Sequence, residues 1–220
     1  MKKEFISYPK SGRTWIRYIL VELGISKNIH FHHDTFEFND GSKPKLDFEI
    51  DKRIKRYSKN DKIVYLERDP RDVMVSLYHQ VTGRFKDFFE YEGSISDFIR
   101  DDYFGAKNLS KFRSIWNTVA EQKGFLKITY EECHNDLYKV ITNILDYYEL
   151  DINQNKIEEV IKKSSFDNMK ELERSQNFSE PWLKPRNNAY KVREGKVGNY
   201  KNNLSSNDIK YLNTIFGDTI

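Results

Sequence analysis

Short apolar runs alternate with longer amphipathic segments along most of this chain. The apolar runs are rich in β-branched and aromatic residues, which is typical of strands, and they lie near residues 4–8, 28–33, 62–67 and 125–130. Segments with helical spacing lie near residues 13–24, 48–58, 71–82, 95–101, 107–121, 135–149, 154–163 and 206–216. Strands that alternate with helices predict a three-layer α/β fold, with a central parallel sheet flanked by helices.

One long segment interrupts this alternation. Residues 175–204 are polar, show weak periodicity, and contain Pro181, Pro185, Gly195 and Gly198. Loops of this length are often functional, so we expect an ordered loop or a lid over a site.

Composition defines the broad class of protein. The 220 residues predict one domain, 1–220, with a sizeable core. Hydrophobic residues make up 38% and charged residues 32%, which favours a globular protein over a disordered one. The net charge of +3 does not require a nucleic-acid partner, and we expect none.

Compartment and membrane association are inferred from what the sequence contains. Cys133 is the single cysteine, so no internal disulfide can form, which fits a reducing compartment. No apolar run approaches the roughly 18 residues that a membrane span needs. We therefore expect a cytoplasmic protein without a membrane span.

The first candidate site follows the first predicted strand. Residues 5–15 read Phe-Ile-Ser-Tyr-Pro-Lys-Ser-Gly-Arg-Thr-Trp, and a helical pattern begins at once. A helix N-terminus offers free N–H groups and a positive dipole end, Lys10 adds a full charge, and Gly12 permits close approach. This arrangement predicts an anion-binding loop, with an ordinary turn and a solvated lysine as the alternative. It matches neither the nucleotide-hydrolase loop nor the dinucleotide fingerprint.

The second candidate site follows the apolar strand at residues 63–67. Arg68 lies at its carboxyl end, Asp69 suits a helix N-cap, and Ser76 lies two turns into the following helix. A guanidinium can bind a phosphate through two hydrogen bonds, and a hydroxyl can add a third. In the alternative interpretation Arg68 pairs with Asp69 or Asp72, and Ser76 bonds to its own helix.

Three stretches together resemble the signatures of sulfotransferases that use 3′-phosphoadenosine 5′-phosphosulfate (PAPS). Tyr-Pro-Lys-Ser-Gly-x-Thr-Trp at residues 8–15 is similar to the family's phosphosulfate loop, and Arg68 with Ser76 is similar to its 3′-phosphate signature. Residues 193–202, Arg-Glu-Gly-Lys-Val-Gly-Asn-Tyr-Lys-Asn, resemble the third signature, Arg-Lys-Gly-x-x-Gly-Asp-Trp-Lys-Asn, with three substitutions. The resemblance implies a P-loop-like fold and a transferase that moves a sulfuryl group from PAPS to a hydroxyl or an amine.

The resemblance also implies roles for individual residues in binding PAPS. The 5′-phosphosulfate would be held by Lys10, Ser11, Gly12, Arg13 and Thr14. The 3′-phosphate would be held by Arg68, Ser76, Arg193, Glu194 and Gly195. The nucleoside would be contacted by Trp15, Tyr130, Ser164 and Phe166. Lys10 and Ser76 would also act in catalysis, Lys10 by neutralising the leaving oxygen.

Sulfuryl transfer needs a base for the acceptor's proton, and histidine suits this role. Residues 29–34 read Ile-His-Phe-His-His-Asp, and the resemblance to a Lys-Thr-His strand in the family implies that His33 is the base, with Asp34 as a candidate partner. His32 is the alternative if the strand register differs by one. Phe31 stands where the family has a lysine, and Arg13 is a candidate substitute.

A metal site is the other interpretation of these histidines. His30 and His32 share one face of the predicted strand and could bind a metal. No third ligand is evident in the sequence, and sulfuryl transfer needs no metal, so we expect none.

The acceptor is not specified by the sequence, and a small molecule, a lipid or a carbohydrate would each fit. The irregular segments 35–47, 83–94 and 175–192 flank the motifs and are expected to line its site with aromatic side chains such as Phe36, Phe89 and Trp182. Two other functions remain open, a Mg²⁺- and ATP-dependent small-molecule kinase and a non-catalytic nucleotide- or polyanion-binding module. The oligomeric state is also open.

Overall fold

A central sheet of four parallel strands organises the computed structural model, which describes residues 1–38, 43–178 and 180–217. The strands are β1 Lys3–Ser7, β2 His30–His32, β3 Lys62–Glu67 and β4 Leu126–Thr129. Their order in the sheet is β2-β1-β3-β4, and every neighbouring pair is parallel. All four predicted strands are present.

Helices fill the segments between and after the strands. They are α1 Arg13–Glu22, α2 Ile50–Arg56, α3 Pro70–His79, α4 Lys86–Phe89, α5 Ile95–Arg100, α6 Ala106–Lys123, α7 Tyr130–Asn135, α8 Leu137–Tyr147, α9 Gln154–Lys163, α10 Phe166–Ser175 and α11 Ser206–Phe216. A π-helical turn at Gln80–Arg84 extends α3, and 3₁₀ turns occur at Ser26–Asn28, Pro181–Leu183 and Asn199–Asn202. Within the described ranges, no helix combines the length and apolar character that crossing a bilayer would require.

Alternation along the strands produces two separate cores. Phe5, Val64 and Leu66 pack against α1, α8 and α9 on one face of the sheet. On the other face, Ile6 and Tyr65 pack with residues of α3, α5, α6 and α11. Successive strand residues point to opposite faces, and burial on both faces explains the consecutive apolar residues 5–6 in β1 and 63–66 in β3. The predicted three-layer α/β fold is confirmed.

Several helices were not evident in the sequence pattern. Helix α10 carries buried Met169 but also buried Glu173, so it has few apolar residues and a narrow apolar stripe. Helix α7 starts directly after β4 because Thr129 and Glu132 form a capping box, which ends the predicted strand one residue early. Short helices such as these are stabilised by tertiary packing more than by local propensity.

The strand order places a site at the carboxyl edge of the sheet. From β1 the chain moves to β2 on one side and then to β3 on the other, so the topology switches between β1 and β3. In open parallel sheets, ligands bind beyond the carboxyl ends of the strands at such a switch. The loop after β1 and the residue after β3 both lie there.

Candidate active site

A cavity of about 660 Å³ opens at this carboxyl edge. A residue that follows each of the four strands lines it: Lys10 after β1, His33 after β2, Arg68 after β3 and Tyr130 after β4. The other predicted site residues in the wall are Gly12, Arg13, Thr14, Trp15, Ser76, Ser164, Phe166, Arg193, Glu194 and Gly195. Ser11 lies behind the loop, where it is buried and its N–H donates to the Tyr8 carbonyl at 3.3 Å.

The loop after β1 has a conformation that only glycine suits at its tip. Gly12 caps α1 with a φ of 99°, and a Cβ atom there would lie 2.4 Å from a ring carbon of Tyr130. Helix α1 starts at Arg13, so the free N–H groups of its first turn belong to the residues in the cavity wall. Burial and the nearby charges of Arg84 and Arg68 lower the pKa of Lys10 to about 7. This loop has the geometry and the charge of an anion-binding site.

Arg68 links the first loop to the third motif. Its guanidinium donates to the carbonyls of Lys10 at 3.2 Å and Lys196 at 3.1 Å, and it lies 4.3 Å above the ring of Tyr130. Asp72 is 3.5 Å away, so the alternative pairing is present as a long contact. The buried Nε atom has no hydrogen-bond partner among the described residues, and can therefore donate to a ligand.

The third motif is anchored to α3 by a residue that the motif analysis did not assign. Both carboxylate oxygens of Asp72 accept backbone hydrogen bonds, from Gly198 and Tyr200, each at 2.8 Å. Gly195 packs so closely that a Cβ atom would lie 2.3 Å from the Phe166 ring. These contacts fix the loop over the cavity.

The third motif also carries an ion pair where the family signature has two cations. Arg193 donates to Glu194 at 2.8 Å, and both side chains are partly exposed at the cavity. Burial and the charge of Arg68 affect Arg193, whose pKa is lowered from its ordinary value. Arg193 therefore enters the site alongside Arg68, with Glu194 reducing the local positive charge.

Aromatic rings form another part of the wall. Trp15 donates from its indole N–H to the Ser164 carbonyl at 2.8 Å, which fixes the ring. Tyr130 and His134 lie beside it, with ring centroids 6.0 and 5.1 Å from that of Trp15. His134 is solvent-exposed but also lines the cavity, which sequence analysis did not predict. The cluster offers ring surfaces to a planar ligand group.

His33 is held in one tautomer by the backbone. Its Nδ1 atom lies 2.7 Å from the Ser7 carbonyl, so Nδ1–H donates there and the Nε2 lone pair stays available. Its own N–H donates to Glu37 at 2.9 Å. Burial and the positive charge of Arg13 lower the pKa of His33 well below its ordinary value, so the ring is neutral at pH 7. A neutral imidazole with a free nitrogen can accept a proton.

Asp34 does not orient His33, contrary to expectation. Its carboxylate accepts from Arg53 at 2.8 Å and from the Trp116 indole at 2.9 Å, both in the second core. Asp34 has a φ of 51°, and this turn directs it away from the strand end. The Ser7 carbonyl instead contacts the ring of His33.

The histidines on β2 do have a third potential ligand nearby, so that part of the sequence interpretation is wrong. Glu4 lies opposite His30 in the β1–β2 register, and ligand atoms of Glu4, His30 and His32 all lie within 4.8 Å of one another. His32 binds Glu4 through Nε2 at 2.8 Å and accepts the Asp34 N–H at Nδ1. Both nitrogens of His32 are thus engaged, so His32 has no free ring nitrogen that could accept a proton.

Cations dominate the cavity wall beyond the predicted set. Ten lysines and arginines line it against three carboxylates. Lys191 is one of the additional cations: its ammonium donates to the Trp182 carbonyl at 2.9 Å, and burial together with Lys10 and Arg84 lowers its pKa well below the ordinary value. Buried Glu173 accepts hydrogen bonds from Arg84 at 3.2 Å and from the Val192 N–H at 2.7 Å. These bonds hold the segment that contains Lys191 and Val192.

Lys191 was missed because it lies in the long polar segment and belongs to no motif. The expected acceptor segments do contribute wall residues, including Glu37, Phe85 and Trp182, but Phe36 and Phe89 are core residues instead. Residues 39–42 and 179, which fall in two of those segments, lie outside the described residues.

Comparisons with known proteins agree with this geometry. Residues 51–220 match the family model described as a sulfotransferase domain. The chain is 32% identical over 156 residues to human sulfotransferase 2B1, which covers 68% of this chain and 41% of that protein. It is 29% identical over 168 residues to luciferin sulfotransferase of Photinus pyralis, which covers 71% and 43%. The chain thus spans less than half of the length of either relative.

Solved structures show the same fold. A mouse sulfotransferase complexed with PAP superimposes with a TM-score of 0.69 at 18% identity, over 98% of this chain and 82% of that one. Retinol dehydratase complexed with androsterone and PAP superimposes with a TM-score of 0.64 at 17% identity, over 99% and 80%. The resemblance seen in the sequence motifs is therefore confirmed: this chain belongs to the sulfotransferase domain family.

Proposed function

We propose that this protein transfers the sulfuryl group of PAPS to a hydroxyl, or an amine, of an acceptor. One observation supports this most directly: the loop after β1, Arg68 after β3, the loop around Gly195 and His33 all line one cavity. The first three supply cations and N–H groups for an anionic donor, and His33 supplies a base beside them.

The donor would lie across the switch point between β1 and β3. Lys10, Gly12, Thr14 and the backbone N–H of Arg13 would hold the 5′-phosphosulfate, with Ser11 supporting the loop from behind. Arg68, Ser76, Arg193 and the backbone at Glu194 and Gly195 would hold the 3′-phosphate. The nucleoside would contact Trp15, Tyr130, Ser164 and Phe166. Free Arg68 Nε and the cationic wall support this placement.

Transfer would proceed by in-line attack. The acceptor oxygen, or nitrogen, forms a bond to sulfur while the bond from sulfur to the bridging phosphate oxygen breaks. His33 Nε2 accepts the acceptor's proton, and adenosine 3′,5′-bisphosphate (PAP) leaves with the electron pair. Lys10 would stabilise the charge that develops on the leaving oxygen. Ser76 would assist catalysis by holding the 3′-phosphate, which fixes the position of the donor.

Lys191 would supply a second cation near the sulfur. Phe31 stands at the position of the family lysine, which leaves that contact open. Lys191 lines the same cavity as Lys10 and His33 and interacts electrostatically with both. The Arg13 side chain, the other candidate, is considered below.

A transfer assay tests the proposed role of the base. With labelled PAPS and a panel of phenols, alcohols, sugars and amines, we expect His33→Gln to lower kcat by roughly 10²–10⁴ while PAP affinity stays within about twofold. His30→Gln is the matched control, because His30 is exposed and outside the cavity wall. Full activity in His33→Gln would exclude His33 as the base, and loss in His32→Gln alone would transfer that role to His32.

A further inference from the structure

Two arginines on α1 stand apart from the other cations of the cavity. Arg13 and Arg17 are one helical turn apart, so they project from the same face of α1, and both line the wall. Within the described ranges, neither side chain forms a hydrogen bond or an ion pair. Arg13 Nη1 and Arg17 Nε are buried without a partner. Buried donors of this kind require a partner, which a ligand can provide.

Aromatic side chains hold the guanidinium of Arg17. Its Cζ atom lies 5.1 Å from the Phe31 ring centroid and 4.8 Å from that of Trp182. Phe31 is itself stacked on Phe5, with ring centroids 5.6 Å apart, and this packing fixes the Phe31 ring. An arginine that contacts rings through its face keeps the N–H edge for an oxyanion, and its order lowers the entropic cost of binding.

Arg13 is close enough to the candidate base to affect it electrostatically. The charge of Arg13 depresses the pKa of His33, and Glu37, which accepts the His33 N–H, acts on Arg13 in turn. Burial and repulsion from Arg17 lower the pKa of Arg13 to about 9. An anion between the two guanidinium groups would relieve this repulsion.

The positive charge of the wall exceeds the negative charge of the donor only slightly. Ten cationic side chains line the cavity against three acidic ones, and PAPS carries about four negative charges at neutral pH. Glu173 and Asp87, which lie outside the wall, pair with Arg84 and Arg186 and reduce the excess further. Arg13 and Arg17, which have buried donors without a partner among the described residues, are the cations left for a second anion.

We propose that the acceptor carries an acidic group, a carboxylate or a phosphate or sulfate monoester, bound between Arg13 and Arg17 while its hydroxyl lies at His33. This inference rests on the proposed function, since it requires an acceptor. The shared chemistry is a planar or tetrahedral oxyanion that accepts two or more hydrogen bonds from guanidinium groups. Phe31 and Trp182 would add contacts to the adjoining apolar part of the acceptor.

Calorimetry on the PAP-saturated protein tests this. The probes are 4-hydroxyphenylacetate, phenyl phosphate and phenyl sulfate, compared with the neutral 4-hydroxyphenylacetamide. We expect at least one anion to bind about tenfold or more tightly than the amide, because charge-assisted hydrogen bonds replace water at the arginine pair. The anion that binds with the highest affinity indicates which acidic group the acceptor carries.

Variants at residue 17 separate charge from packing. Arg17→Met fills the space between the rings without a charge. The ratio of anion affinity to amide affinity should therefore fall to about one, while PAP affinity stays within about twofold. Arg17→Lys keeps the charge but not the planar fork and should be intermediate. Arg174→Met, which removes an exposed arginine of α10 outside the cavity wall, should change neither.

The outcomes distinguish this inference from the proposed function. Failure of the wild-type protein to bind PAP would overturn both. Normal PAP binding without a preference for any anion over the amide would overturn the acidic acceptor alone. Loss of PAP affinity in Arg17→Met with an unchanged anion preference would also overturn it, because Arg17 would then belong to the donor site.

Discussion

Two partly buried groups, Lys10 and His33, determine the chemistry of the cavity at the scale of single residues. Burial favours the neutral form of each, and neighbouring cations add to this effect, so Lys10 has a pKa of about 7 and the pKa of His33 is well below 6.5. His33 is therefore ready to accept a proton, whereas Lys10 is only partly charged in the empty site. An anionic donor reverses the balance at Lys10, since a nearby negative charge stabilises the ammonium.

This leads to a prediction about proton uptake. Below about pH 6, Lys10 is protonated with or without ligand, so it contributes no uptake on binding PAP. Above pH 7 the free side chain is mostly neutral and must gain a proton, so uptake should increase as pH rises from 6 to 8. Calorimetric titration with PAP in buffers of different ionisation enthalpy measures the number of protons taken up on binding. The same titration of Lys10→Met gives the uptake that does not involve Lys10. Equal uptake in the variant and the wild type would contradict a lowered pKa at Lys10.

At the scale of elements, the third motif is positioned by α3 more than by its own glycines. Asp72 accepts both the Gly198 and the Tyr200 N–H groups, and Arg68, four residues earlier, donates to the Lys196 carbonyl. One helix start thus positions both a phosphate-binding candidate and the loop over it. The prediction of Arg68 at a strand end and of Asp69 as N-cap came from local patterns, and both are confirmed.

Removal of the Asp72 carboxylate tests this anchoring. In Asp72→Ala we expect the Gly198 and Tyr200 amides to exchange with solvent at least about tenfold faster, since each loses a charge-assisted hydrogen bond. PAP affinity should fall as well, because the loop must be ordered on binding. Asp97→Ala, which removes an exposed capping carboxylate from α5, is the control. Unchanged exchange in Asp72→Ala would show that the loop is held in another way.

Element-scale features that depend on long-range contacts were not available from the sequence. The proximity of Glu4 to His30 follows from strand register, which hydrophobic patterns define only by face. Lys191 enters the cavity because Glu173, on a helix with few apolar residues, accepts the backbone N–H groups of Lys191 and Val192. Neither of these two contacts leaves a mark in the neighbouring sequence. The loop at Lys10 could be predicted because a strand end, a glycine and a helix start occur there within a few residues.

At the scale of the whole molecule, the sheet order explains why residues from 10 to 195 form one site. The order β2-β1-β3-β4 brings four carboxyl ends to one edge, and the turn after each strand adds a residue to the same cavity. The alternating strand and helix pattern predicted this architecture and thereby the edge where ligands bind. The assignment of the cavity to a bisphosphorylated nucleotide depends on the combined cations of all three motifs.

The most direct test of this assignment is calorimetric titration, without metal, of PAP, ATP and AMP. We expect PAP to bind about 100-fold or more tightly than ATP, because Arg68, Ser76 and Arg193 would contact a 3′-phosphate that ATP lacks. In Arg68→Ala, PAP affinity should fall about tenfold or more, and AMP affinity should change little. Equal or tighter binding of ATP would contradict the account and favour a phosphate-transferring enzyme.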